Sequence, residues 1–214
     1  MRMSKSLLIT RPDHEIVTKY CCVWCEDIIK LAAQKSIDVY DLKGKKANRK
    51  EFESYIGAKN PSLIFFNGHG DADTITGYDN EPLLDKQSVP PKSIIYARSC
   101  DAAQSLGPML IQKGIRAFIG YMRKFTFFYD PASVLKPASD PIARLFLESS
   151  NLVVSTIIKD HTVTEANQRS KSAMIRNLKS MVSSEATFEE RYAAPAMWSN
   201  INSQVVLGDA YATI

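Results

Sequence analysis

Two uninterrupted apolar runs, Leu63-Ile64-Phe65-Phe66 and Ile94-Ile95-Tyr96-Ala97, constrain the fold of this chain more than any other feature. A strand with one wet face alternates apolar and polar residues. A strand that is apolar at every position must be covered on both faces, as in a parallel sheet between two layers of helices. Similar runs recur, and the spacing predicts strands over residues 6–10, 37–42, 62–67, 93–98, 116–121 and 204–207. Between them lie segments of helical period: residues 14–33 with Asp13 as cap, 48–56 opened by Asn48, 104–113 stopped by Gly114, 140–149 and 164–182. The expected fold class is therefore α/β, a three-layer α/β/α unit with a mainly parallel sheet of about six strands and helices on both faces. Three long connections, residues 70–91, 122–139 and 183–198, are expected to be loops, a length that is often functional in a compact domain.

At 214 residues the chain is expected to form a single domain, 1–214, that buries its own core. Apolar residues make up 45% and charged residues 23%, the balance of a soluble globular protein. A net charge of +4, with no basic stretch interleaved with aromatics, gives no reason to expect a nucleic-acid partner. The N-terminus offers only Leu7-Leu8-Ile9 as an apolar stretch, too short for a secretory leader or a membrane span, so no membrane partner and a cytoplasmic location are expected. Four cysteines, three of them crowded at Cys21, Cys22 and Cys25, do not make a disulfide framework, and reduced thiols are expected.

Each of the two opening runs leads into a reactive side chain: the first into Asn67-Gly68-His69-Gly70, the second into Arg98-Ser99-Cys100-Asp101. In open α/β sheets functional groups gather beyond the carboxyl ends of the strands, which places an imidazole and a thiol on adjacent loops. Thiolate is the nucleophilic form of cysteine, and an imidazole beside it can take the thiol proton. Gly68 and Gly70 allow close backbone approach, and the Gly70 and Cys100 amides are candidate donors to the oxyanion of a tetrahedral intermediate. The competing reading, a buried inert Cys100 and a His69 that decorates a turn, suits a lone residue better than two with the same strand-then-loop context.

Papain-like enzymes and glutamine-hydrolysing amidotransferases place Cys before His, whereas here His69 precedes Cys100. An apolar run ending in His-Gly, followed by one ending in a small residue and Cys, resembles the caspase-like cysteine peptidases, the group of caspases, metacaspases, legumain, clostripain, gingipains, separase and CHAT-domain proteins. Leu106-Gly107, residues 114–120, Trp198-Ser199-Asn200 and residues 205–209 are similar to the later elements of CHAT domains, so a single-domain CHAT-like or prokaryotic caspase-like protease is the nearest match. Many CHAT domains and legumains carry a glycine three or four positions after the Cys, where this chain has Ala103 and Gln104. The resemblance implies a cysteine endopeptidase that acts through a thioacyl enzyme and needs no cofactor. It implies a protein or peptide substrate, and control by an activating partner or by homodimerisation. A caspase-like scaffold that only binds peptides or proteins is the alternative.

The resemblance also implies a pocket. Arg98, two residues before the thiol, and Arg11, just after the first strand, match positions that line the substrate pocket in relatives, and together they would favour an acidic residue before the cleaved bond. Otherwise each arginine should pair with a local acid such as Asp13, Asp71 or Asp101, and basic specificity through Asp71 or Asp101 is the next reading. The aromatic segment at residues 125–129 is expected either to wall a peptide groove or to pack in the core. Cys22-Val23-Trp24-Cys25 falls inside a predicted helix, and His14 and His161 are poorly spaced to complete a zinc site, so no metal is assigned. The carboxylates at Asp71, Asp73, Asp79 and Glu81 lack calcium-loop spacing and read as a solvated loop.

Overall fold

A computed structural model describes residues 5–88 and 92–214. Residues 89–91, at the end of the expected 70–91 loop, and the first four residues of the N-terminus lie outside it. Among the described residues eight strands form: β1 (Ser6–Arg11), β2 (Asp38–Lys43), β3 (Leu63–Asn67), β4 (Thr74–Thr76), β5 (Pro82–Asp85), β6 (Ile94–Arg98), β7 (Ala117–Tyr121) and β8 (Gln204–Gly208). Seven α-helices accompany them: α1 (Ile16–Trp24), α2 (Glu26–Gln34), α3 (Arg49–Lys59), α4 (Leu106–Gln112), α5 (Pro141–Ile158), α6 (Val163–Met181) and α7 (Phe188–Ser203). Six strands make one sheet in the order β2-β1-β3-β6-β7-β8, parallel except for β8, which runs antiparallel to β7.

The two faces of the sheet follow the period of two along each strand. Leu7, Ile9, Phe65, Tyr96 and Ile119 point to one side, into a core completed by Ile28 of α2, Val153 and Val154 of α5, and Ala166 of α6. Leu8, Ile64, Phe66, Ile95 and Phe118 point to the other, against Phe52 of α3, Leu106 and Leu110 of α4, and Ile75, Leu83 and Leu84 of the β4–β5 hairpin. Every residue of β3 and β6 is buried, which is why both read as continuous apolar runs. Helix α5 is long and apolar enough to cross a membrane, but most of it is buried within the fold, as in the core helix of a globular protein.

Three sequence expectations change. Residues 70–91 contain the β4–β5 hairpin. Residues 183–198 contain most of α7, whose N-terminus carries a capping box: Thr187 Oγ1 accepts from the Glu190 amide at 3.2 Å and Glu190 Oε2 accepts from the Thr187 amide at 2.8 Å. Pro195, which withholds one helical hydrogen bond, argues against a helix there by sequence alone. The helix expected over 14–33 starts after Glu15 rather than Asp13 and breaks at Cys25. Three side chains capture carbonyls at the break: Arg98 takes Cys21 O at 3.1 Å, Arg11 takes Cys22 O at 3.1 Å and Asn151 takes Trp24 O at 2.6 Å. The amide of Cys25 turns to Cys22 O at 3.3 Å instead of making the helical bond to Cys21 O.

Candidate active site

Register brings the site together. Strands β3 and β6 are adjacent and parallel with Asn67 opposite Arg98, so His69 and Cys100, each two residues further on, leave the sheet side by side. Ser99 Oγ donates to His69 O at 2.9 Å and ties the two loops to each other. A β-carbon on Gly68 would lie 2.5 Å from Thr76 O, and one on Gly70 would lie 2.2 Å from Ser99 Oγ and 2.5 Å from Thr74 O. The two glycines beside His69 are thus required by close packing of the hairpin and the Cys loop against that strand end.

His69 and Cys100 line one small cavity of about 100 Å³, together with Val17, Thr18 and Cys21 of α1, Arg98, and the rings of Phe125 and Phe127. They do not hydrogen-bond each other. The Cys100 thiol points to Phe125 O at 3.8 Å, and burial pushes its pKa above the ordinary thiol value. His69 Nε2 meets the carboxylate of Glu15, the residue that opens α1. Glu15 is a site residue that the sequence motifs do not point to. Its amide donates to Thr18 Oγ1 at 3.2 Å, and that N-terminal capping pattern is the one local signal that fixes where it sits.

Among the described residues, the two expected oxyanion donors have no protein acceptor. Gly70 bridges to Ile75, and the bonds of that bridge run from Thr76 N to His69 O at 3.0 Å and from Asp71 N to Thr74 O at 2.9 Å. This is the non-hydrogen-bonded position of an antiparallel pair, where the Gly70 N–H faces away from its neighbour. The Cys100 amide likewise has no acceptor among the described residues. Asp101 takes a left-handed conformation with φ of 56° and accepts from Gln104 Nε2 at 2.8 Å, so an aspartate turns the chain directly after the thiol.

The arginines part company. Arg11 does not line the cavity: it is 3% exposed, with its guanidinium held by Asp41 and by Glu26 at 2.7 Å. The expectation that Arg11 faces a substrate pocket is corrected by this pairing, and its partners are not Asp13, Asp71 or Asp101. Arg98 does line the cavity, yet every N–H of its guanidinium already has an acceptor: Asn67 Oδ1 at 2.9 Å, Ser150 Oγ at 3.1 Å, Asn151 Oδ1 at 2.9 Å, Cys21 O at 3.1 Å and Cys25 Sγ at 3.2 Å. All five acceptors are neutral groups, and Phe65 lies beneath its plane, 5.1 Å from ring centre to guanidinium carbon. Its charge therefore faces the cavity without a carboxylate partner.

The remaining candidates sort by contact. Phe125 and Phe127 wall the cavity while Phe128 packs against Phe146, so the aromatic segment serves both expected purposes. Cys22 and Cys25 are buried free thiols, Cys25 pushed up to about 12 by desolvation against the opposing charge of Arg98. Asp71 Oδ1 accepts the amides of Asp73 and Thr74, both at 2.8 Å, and so shapes the turn after Gly70.

The central sheet and the helices on its two faces have the caspase-like fold of solved cysteine proteinases. The chain aligns over 98% of its length with the crystal structure of the Arg-specific cysteine proteinase gingipain R, at a TM-score of 0.58 and 14% identity. It aligns equally fully with the complex of Porphyromonas gingivalis RgpB pro- and mature domains, at a TM-score of 0.59 and 11% identity. A third structure, described as a protease, aligns with a TM-score of 0.51 and 18% identity. The chain spans about half the length of these proteins, 47% to 48%. No family model and no curated protein matches it.

Proposed function

We propose that this chain is a cysteine endopeptidase in which Cys100 is the nucleophile and His69 its base. The observation that carries the reading is that thiol and imidazole line one strand-end cavity, with the Cys100 amide and, one residue beyond His69, the Gly70 amide without acceptors among the described residues. Glu15 holds the Nε2–H of His69 and leaves the Nδ1 lone pair to take the thiol proton. Sulfur then adds to the peptide carbonyl, the Gly70 and Cys100 amides hold the oxyanion, and the imidazolium protonates the departing amine. Water activated by the same imidazole hydrolyses the thioacyl enzyme. The thiol faces Phe125 O, and in this mechanism a substrate carbonyl draws it towards His69, since catalytic hydrogen bonds often close only in the complex.

For the residue before the cleaved bond we propose a small acidic side chain. The cavity has no Asp or Glu in its lining, and the uncompensated charge of Arg98 lies behind it. The preference acts through the field of Arg98, because its donors are already committed. A cavity of about 100 Å³ suits Asp better than longer side chains. A fluorogenic panel with Asp, Glu, Arg and Ala in that position should rank Asp first, and a preference for Arg would overturn this assignment. Control by a partner protein or by dimerisation belongs to the same proposal.

Replacing Cys100 by Ala should abolish turnover and leave folding unchanged. Full peptidase activity in a pure Cys100→Ala preparation would refute the mechanism. The second reading, a silent peptide-binding scaffold, draws on the buried thiol facing Phe125. It is favoured if a peptide acyloxymethyl ketone binds without alkylating Cys100.

A further inference from the structure

Residues 125–129 separate two cavities. Phe125 and Phe127 face Cys100, whereas Phe128, Tyr129 and Asp130 face a second cavity of about 200 Å³ against the start of α7. Four aromatic rings, Phe128, Tyr129, Phe188 and Tyr192, and two carboxylates, Asp130 and Glu189, line this second space. Tyr192 stands edge-on to Phe128, with centroids 5.5 Å apart and planes at 85°, and stacks on Phe188 at 6.2 Å and 20°. Phe188 is 74% exposed and Tyr192 66%, so both rings project into solvent without covering partners.

The chemistry of the lining selects among ligands. Aromatic faces carry negative potential and attract cations, most strongly when a carboxylate stands nearby. Neither carboxylate has a cationic partner among the described residues: Asp130 accepts from Ala132 N at 2.9 Å and Ser133 Oγ at 3.4 Å, and Glu189 forms no ion pair. The positive end of the α7 dipole opposes a cation there, but it amounts to roughly half a charge, against two full carboxylates. Glu190, the other acid of that turn, is spent on Thr187. A purely apolar ligand would leave both carboxylates to be desolvated without compensation.

We propose that this cavity is a binding site for a cationic side chain, the guanidinium or ammonium of an Arg or Lys in a bound peptide. The cation preference follows from the lining itself. That the peptide is a substrate, anchored here by a basic residue while another residue enters the Cys100 cavity, rests on the peptidase reading. Residues 125–129 contribute to both cavities, Phe125 and Phe127 to the first and Phe128 and Tyr129 to the second.

The test uses the full chain carrying Cys100→Ala, so that binding is read without turnover. A fluorescein-labelled peptide Gly-Ser-Arg-Ser-Gly and its citrulline counterpart, which is isosteric but neutral, are titrated by fluorescence anisotropy. The Arg peptide should bind about tenfold more tightly than the citrulline peptide, with affinity falling as salt rises. Glu189→Gln and Tyr192→Ala should each remove most of that difference without moving the urea midpoint, while Tyr192→Phe keeps it. Equal affinity for the two peptides, an unchanged preference in Glu189→Gln, or no binding of the Arg peptide at millimolar concentration overturns the site. Selective binding by a protein whose wild-type form cleaves nothing would reject the peptidase reading and leave the cation site standing.

Discussion

Arg98 carries the largest chemical burden of any single residue. It is 1% exposed and joins β6 to Asn67 of β3, to the α1–α2 break through Cys21 and Cys25, and to Ser150 and Asn151 of α5. Replacing it by Met would strand several buried acceptors, each costing about 1–3 kcal/mol in principle, so a loss of about 3 kcal/mol or more in urea unfolding is expected. Lys would rescue little, because an ammonium cannot span the same fork of acceptors. At the thiol, burial holds Cys100 in its neutral form without substrate, and its iodoacetamide labelling should climb with pH through a midpoint above the ordinary value of about 8.5. A midpoint below neutrality would instead indicate a standing thiolate–imidazolium pair. On the proposed mechanism, Glu15→Gln keeps the hydrogen-bonding shape beside His69 but withdraws the carboxylate charge. It should lower kcat about a hundredfold with little change in KM, read by steady-state kinetics on a cleavable peptide.

At the scale of elements, helix ends and breaks place the working side chains. Asp140 shows this outside the site: it caps α5 through the amides of Ile142 and Ala143, both at 2.9 Å, and also accepts from Tyr20 Oη at 2.7 Å and the Asp130 amide at 2.8 Å. It thereby ties α1 and the 122–139 loop to α5. Asp140→Ala should cost about 3 kcal/mol, more than an isolated cap is worth, because buried donors on three segments lose a charged acceptor together. Equilibrium unfolding measures it, and a loss under about 1 kcal/mol would mean that water replaces the carboxylate. All six sheet strands were legible from apolar runs and most helices from their period, because burial on two faces or one stripe leaves its mark residue by residue. The break at Cys25 was not legible, since the groups that cause it, Arg11, Arg98 and Asn151, come from distant strands and from α5. Helix α7, in a segment expected to be a loop, carries a local signal in the capping box at Thr187 and Glu190, while Pro195 inside it weakens the helical pattern.

For the whole molecule, the parallel sheet is the scaffold that turns sequence distance into contact. Ion pairs at its margins make stability depend on pH. Arg11 holds the Glu26 carboxyl below its usual range, and Arg49 does the same for Asp85. A depressed carboxylate contributes its full stabilisation above the ordinary value of about 4 and loses it as pH falls through the folded value. Urea midpoints should therefore fall in that acid window, and Glu26→Gln should flatten part of the decline. By itself the sequence determined the layers and the strand ends, and singled out His69 and Cys100 as the candidate reactive residues, because those follow from local hydrophobic period and side-chain chemistry. Tertiary structure alone decided that Glu15 meets His69, that Arg11 is spent on Asp41 and Glu26, and that Arg98 sits among neutral acceptors. A charge finds its partner across space, and only the packing of helices on the sheet sets which groups are near enough to answer it.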